Sequence, residues 1–206
     1  MPTKVNPRAQ RFGSEDLEAR LAALYPGQAP KHWGTVMRYA DGGPDPLDGV
    51  SAYRSKASDH WHYVSFGFSE LSEKRSNHAD VSGWGFELTF RLKAGGETEP
   101  PMWPVLTLQK LARYVFNNKA PFEHAHYIAW GGPITKEEPT KLEALVFMID
   151  PELETVETCN GSVTFLTVIG ITSDEHGFAA SATPEALLER LTQGNPLGIT
   201  EIGRRG

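Results

Sequence analysis

The chain has 206 residues, 39% of them hydrophobic and 10% aromatic, which is too apolar for a disordered protein. A domain of that length buries roughly 70% of its unfolded surface, so it needs neither metal nor disulfide to be stable. A net charge of -6 argues against nucleic acid as a partner, and the lone cysteine, Cys159, excludes an internal disulfide.

No apolar run approaches the roughly 20 residues that span a bilayer, and the polar N-terminus lacks a signal-peptide core. These features predict a cytoplasmic protein with no membrane partner, built as a single domain over 1–206. Residues 1–13 read as a loose lead-in. Ser14 is placed as an N-cap, with Glu15 and Asp16 in the first turn and Leu17, Leu21 and Leu24 at helical spacing. The pattern predicts a helix over 15–25, stopped by Pro26 and Gly27. The turn formers of 41–46 predict a structured loop. Alternation predicts a strand over 61–68, and a polar hairpin-like loop follows over 72–82.

The clearest pattern spans 84–92. Trp84, Phe86, Leu88, Phe90 and Leu92 alternate with Gly85, Glu87, Thr89 and Arg91. An antiparallel strand with one face in the core and the other toward solvent or a partner is expected. Pro104 then suits the first turn of a helix over 104–117. Short strands are expected over 127–130, 142–149 and 162–171, the last apolar on both faces and hence central. Thr183, Pro184 and Glu185 open a closing helix that buries Leu187, Leu188 and Leu191. The fold class is α+β: a mixed, largely antiparallel central sheet with helices packed on it.

Few residues are arranged for chemistry. His60 and His62, two apart on a strand, could point at one metal ion, with Glu87 or Asp59 as a third ligand. His124 and His126 form a second pair. A two-residue spacing without H-E-x-x-H or paired C-x-x-C is weak, so no metal and no cofactor are predicted. Cys159 precedes Asn160-Gly161, a turn with no basic cluster to activate a thiol. The acidic pairs Glu137-Glu138 and Asp174-Glu175 fall in expected loops and read as solvated surface.

Several words of the chain then line up. Gly43-Pro44-Asp45-Pro46-Leu47-Asp48 precedes Val50-Ser51 and Tyr53-Arg54. His60-Trp61-His62-Tyr63 leads to Gly83-Trp84-Gly85-Phe86-Glu87-Leu88-Thr89-Phe90-Arg91-Leu92. Pro100-Pro101, Trp103-Pro104, Leu111-Ala112-Arg113-Tyr114-Val115-Phe116 and Asp150-Pro151 follow in order. Together they resemble the N-terminal domain of the Suppressor of Fused family, from about residue 22 to 172, with a weaker tail. The resemblance implies a scaffold without catalytic activity. In animals, that scaffold restrains a Hedgehog-pathway transcription factor by gripping a peptide that adds as a strand between two domains. It places the peptide-facing region around Tyr114 and 122–130. Tyr114 and Phe122 match the family's aromatic positions, while His126 stands where the animal proteins place an acidic residue.

The resemblance to stand-alone bacterial members implies a protein-binding module of the immunity type, with a toxin domain as candidate partner. The protein is expected to be a monomer or homodimer. The alternatives are a metal-dependent enzyme built on His60, His62 and Glu87, and a homo-oligomeric structural module.

Overall fold

The alternating segment at 84–92 forms the middle of a sheet. The structure, a computed structural model, describes residues 12–37 and 39–205, so most of the expected lead-in lies outside the described residues. In chain order the elements are α1 (Gly13–Leu24), β1 (Lys31–Gly34), a 3-10 turn (Tyr39–Asp41), β2 (Gly49–Ser55), β3 (His60–Phe66) and β4 (Val81–Lys93). After them come α2 (Trp103–Asn118), β5 (Tyr127–Ala129), β6 (Leu142–Ile149), β7 (Thr155–Thr158), β8 (Gly161–Thr172), α3 (Ser173–Ser181) and α4 (Pro184–Thr192).

The strands form one sheet in the order β1-β2-β3-β4-β8-β6-β5, with β7 paired to part of β8. Among the described strands all pairings are antiparallel except β4 with β8, which runs parallel through Phe86↔Thr164 to Phe90↔Val168. The expected α+β class with a mixed, largely antiparallel sheet is therefore observed. The expected central place of β8 is also observed.

Strand alternation sorts the core. On one face α2 packs Leu108, Leu111, Ala112 and Val115 against Tyr63, Leu88, Phe90, Phe147 and Val168. On the other, α1 packs Leu17 and Leu21 against Val64, Phe66 and Phe165. Further along that second face, α3 and α4 cover Val146, Ile169 and Ile171. β8 shows how the two helical units divide the face. Phe165 belongs to the α1 cluster and Ile169 to the α3–α4 cluster, while the polar Thr167 lies between them.

A polar seam fills that gap, and it corrects the expectation for 84–92. Glu87, Thr89 and Arg91 do not face solvent; each is 0% exposed. Arg91 grips Asp150 with both terminal nitrogens, at 2.7 and 2.9 Å, and also donates to Thr167 Oγ1 and Glu152 Oε2. Asp150 further accepts from the Thr89 and Thr167 hydroxyls and from the backbone N–H groups of Glu152 and Leu153. Burial works against the Asp150 charge, but His62 and Arg91 outweigh it and hold the carboxyl far below its ordinary range. A charge that deep is tolerated because nearly every lone pair and N–H has a partner.

Local expectations fare unevenly. The α1 N-cap is Phe12, not Ser14, and Gly13 is already buried helix. Ser14 instead donates its backbone N–H to Leu71 O, at 2.9 Å, fixing α1 to the loop after β3. The Thr183 cap and first-turn Pro184 of α4 are present as expected. Asp174-Glu175 is no loop: it opens α3. Thr172 Oγ1 accepts from Glu175 N–H, while the Glu175 carboxylate accepts from Thr172 N–H. Glu175 is buried and paired with Arg204, which ties the chain's end to α3. Glu137-Glu138 is exposed, as expected.

Asp150→Ala strands the Arg91 guanidinium without its main partner. Removing one member of a buried pair costs about 3–5 kcal/mol, so urea unfolding should show a loss of that order. A loss below about 1 kcal/mol would mean that the seam contributes little.

Candidate functional site

The first candidate is the pair His60 and His62. Both sit on β3 and are buried, with ring centroids 6.2 Å apart. His62 Nδ1 shares a 2.8 Å hydrogen bond with the Tyr25 hydroxyl, and its Nε2 lies 3.4 Å from Asp150 Oδ2. Neither ring nitrogen of His60 has a hydrogen-bond partner. Burial first, then the neighbouring His62 and the Arg91 guanidinium, push His60 down to about 3. Burial and then Arg91 also lower His62. Both imidazoles are thus held neutral inside the seam.

The third ligand is elsewhere. His62 faces Arg91 across the β3–β4 pair, and Glu87 lies four residues further along β4. Its carboxylate is taken up by the hydroxyls of Ser65 and Ser69 and the backbone N–H groups of Gly67 and Ser69. Asp59 pairs with Arg54 at 2.6 Å and Lys93 at 3.4 Å. His124 and His126 do not share a strand face, because Ala125 between them adopts φ 66° and β5 starts only at Tyr127. Their Nδ1 atoms accept backbone N–H bonds, from Ile149 and Glu123 respectively. Among the described residues no group of three or more His, Cys, Asp or Glu is placed to hold a metal ion.

The second candidate is a surface. β5 is the last strand of the sheet, paired only with β6 among the described strands. Trp130 N–H bonds to Glu143 O and Phe147 N–H to His126 O, both at 2.9 Å. Antiparallel alternation then turns the N–H and C=O of Tyr127 and Ala129 away from β6, toward the open edge. The opposite edge is better guarded: β1 is four residues long, preceded by Pro30 and opened by Lys31.

Helix α2 flanks the open edge. Pro104 in its first turn and Lys119 in the left-handed conformation at its end set its limits. Its inner stripe is core, while Met102, Leu106 and Tyr114 stay exposed on the outer face. Lys110 Nζ sits 3.7 Å above the Trp130 ring, just past the end of β5. Tyr114 stacks on Phe122 at 5.6 Å, and Phe122 stacks on Phe147 of β6 at 4.1 Å. The structure therefore brings the three expected contact residues to one end of β5. Tyr114 is 46% exposed and His126 is exposed, but Phe122 is only 4% exposed. Phe122 supports Tyr114 from below. Trp130 lies within the expected 122–130 region, whereas Leu106 and Lys110, which stand beside it, were not singled out from the sequence. The i, i+4 spacing of Met102, Leu106 and Lys110 opposite the core stripe was the available signal.

An α+β sheet domain with an open edge strand beside exposed aromatic and aliphatic side chains is the class these features define. The family model described as Suppressor of fused protein (SUFU) matches residues 43–205, and the chain belongs to that family. The human and mouse proteins named Suppressor of fused homolog are each 39% identical over 200 residues. Those alignments cover 89% of this chain and 41% of each relative, so the chain spans less than half their length. Among solved structures, one described as the Sufu-Fu complex aligns with TM-score 0.88 and 30% identity, covering 96% of this chain and 92% of that one. Drosophila Suppressor of Fused aligns with TM-score 0.86 and 30% identity, over 96% of this chain and 51% of its own. A Neisseria gonorrhoeae homologue shares the fold, with TM-score 0.65 and 17% identity over 94% of this chain and 96% of that one.

Two measurements probe these assignments. Phe122→Ala opens a cavity under Tyr114 and should cost about 3 kcal/mol of stability, whereas Tyr114→Ala should cost less than about 1. Urea titrations of both variants separate support from contact. The second concerns pH. His60 protonates near 3 when folded and near 6.5 when unfolded, so the unfolded chain binds a proton that the folded chain refuses. Stability should fall as pH drops below 6.5, by up to ~1.4 kcal/mol per pH unit for each such histidine. Glu87 has the opposite sign: burial pushes it up to about 7 from 4.5, so its contribution fades as pH rises through 7. Comparing wild type with His60→Phe between pH 7 and 4.5 isolates the imidazole, and the variant should show the flatter profile.

Proposed function

We propose that this chain is a non-enzymatic protein-binding module that takes an extended segment of its partner along the free edge of β5. The carrying observation is that edge itself, where the Tyr127 and Ala129 backbone groups point outward beside Tyr114. Strand addition draws affinity from main-chain hydrogen bonds and specificity from flanking side chains. Tyr114, held up by Phe122, and His126 flank one end of the edge, while Lys110 over Trp130 flanks the other. A relative described in complex with Fu supports a protein partner. The sealed, neutral imidazoles and the fully engaged Glu87 carboxylate favour binding over metal-dependent catalysis.

The narrower reading is an immunity-type protein whose partner is a toxin domain. The net charge of -6 supports it by suiting a basic partner and fast encounter. A second copy of this chain is the competing occupant of the edge.

Ala129→Pro tests the proposal. Ala129 is exposed and its N–H faces outward, so proline removes a donor without breaking the Trp130 bond to Glu143. With the wild-type chain as bait, affinity capture from the native cell should retain a protein partner. Ala129→Pro and Tyr114→Ala should each weaken that partner's binding about tenfold or more, with circular dichroism unchanged. Binding unaffected by both changes would sink the edge reading. Light scattering separates a heterologous partner from self-association, and the genes beside the captured partner's own gene test the toxin version.

A further inference from the structure

A second concave feature lies at the opposite side of the sheet, unrelated to β5. α1 and the outer strands β1 and β2 enclose a cleft of about 520 Å³. That volume is in the range of small-molecule sites. Its floor is apolar, with Tyr53 and Phe66 buried and Leu71 half-buried. The His32 ring forms one wall. Its Nδ1 is tied to Ser51 Oγ at 2.9 Å, and its edge meets Phe66 with centroids 6.4 Å apart. The ring lies over Gly49, where a Cβ would stand 2.7 Å from Nε2, so only glycine lets it rest there.

The rim is charged, and with one sign. Glu18 on α1 and Asp48 before β2 line the cleft, and among the described residues no lysine or arginine does. Neither carboxylate has a hydrogen bond or ion pair among the described residues. Elsewhere in the molecule, acids beside basic side chains are paired: Asp45 with Arg113, Asp59 with Arg54, Glu175 with Arg204. The Glu18 charge is felt inside the cleft, since after burial it is the next cause that raises the Tyr53 hydroxyl.

We propose that this cleft binds a small amphipathic organic cation, an ammonium or guanidinium carried on a flat apolar body. The apolar body fills the floor of Tyr53, Phe66 and Leu71 against the His32 wall. The cationic end sits at the rim, where Glu18 and Asp48 neutralise it and the aromatic faces favour it. No bond is made or broken, and the site is independent of the partner bound at β5.

The test uses the full chain and 2-phenylethylamine at pH 7.5, with binding read from the nuclear magnetic resonance signals of His32 and Tyr53. Saturable shifts are expected, with a Kd on the order of 1 mM for so small a ligand. Glu18→Gln with Asp48→Asn should weaken binding about tenfold. Ala22→Phe, an exposed α1 position lining the cleft, should block it with the helical signal intact. 3-Phenylpropionate, with the same body and the opposite charge, should leave both signals in place. Absence of saturation, equal binding of the anion, or undiminished binding in the double variant would each overturn the proposal.

Discussion

The Arg91–Asp150 pair is the contact on which the rest of the architecture turns. Arg91 comes from β4 and Asp150 from the end of β6, two strands that do not pair with each other and are joined only through β8. Thr89 and Thr167 close the same hydrogen-bonded ring from β4 and β8. His62 of β3 and, through it, Tyr25 at the end of α1 lean on that ring. One desolvated ion pair thereby sets the register of four strands and the seat of a helix. An apolar substitute of equal volume could match it in stability. It could not match it in specifying geometry, because a bidentate guanidinium–carboxylate pair accepts only one alignment.

This arrangement explains what the sequence made legible and what it did not. The apolar half of 84–92 told the truth about the core; β3 and β4 followed from alternation, and β8 from a run that is apolar on both faces. The polar half misled. Glu87, Thr89 and Arg91 have the pattern of a solvated face, because alternation reports the period of a strand and not the polarity of what covers it. Only a partner far along the chain, Asp150 for Arg91, makes the second face habitable, and local spacing carries no trace of it. β1 and β7 were missed for a different reason. They are four-residue edge strands with little apolar content, held by their neighbours. The α3 helix was a failure of reading, since Thr172 and Glu175 have the spacing of a capping box.

The surface at β5 was more legible than the seam, although its logic changed. The sequence places Tyr114, Phe122 and His126 together at the expected contact region, with only the two aromatics matching the family's positions. The structure ranks them: two are exposed, and one is the buried base of a stack running from Tyr114 through Phe122 to Phe147. The stack matters because an exposed tyrosine on a rigid support gives up little conformational entropy on binding. The same rigidity reaches the edge itself, since Phe147 bonds the backbone of Ala125 and His126 that leads into β5. Tyr114, Phe122, Phe147 and the backbone leading into β5 are therefore joined through one continuous set of stacked rings and hydrogen bonds.

The seam and the edge are linked by the sheet between them. β8 carries Thr167 into the Arg91–Asp150 ring, and β6 is followed directly by Asp150 while its outer side pairs with β5. A strand that opens its backbone to a partner must not shift register, because a one-residue slip exchanges its two faces. β5 is three residues long and cannot hold its own place. It borrows order from β6, and β6 is pinned at its far end by the buried carboxylate. The charge that would look expensive in isolation sits where a short, open edge most needs a fixed neighbour. The neutral state of His60 and His62 keeps that pin intact, because a protonated imidazole beside Arg91 would add like charge to the one place where the sheet's alignment is decided.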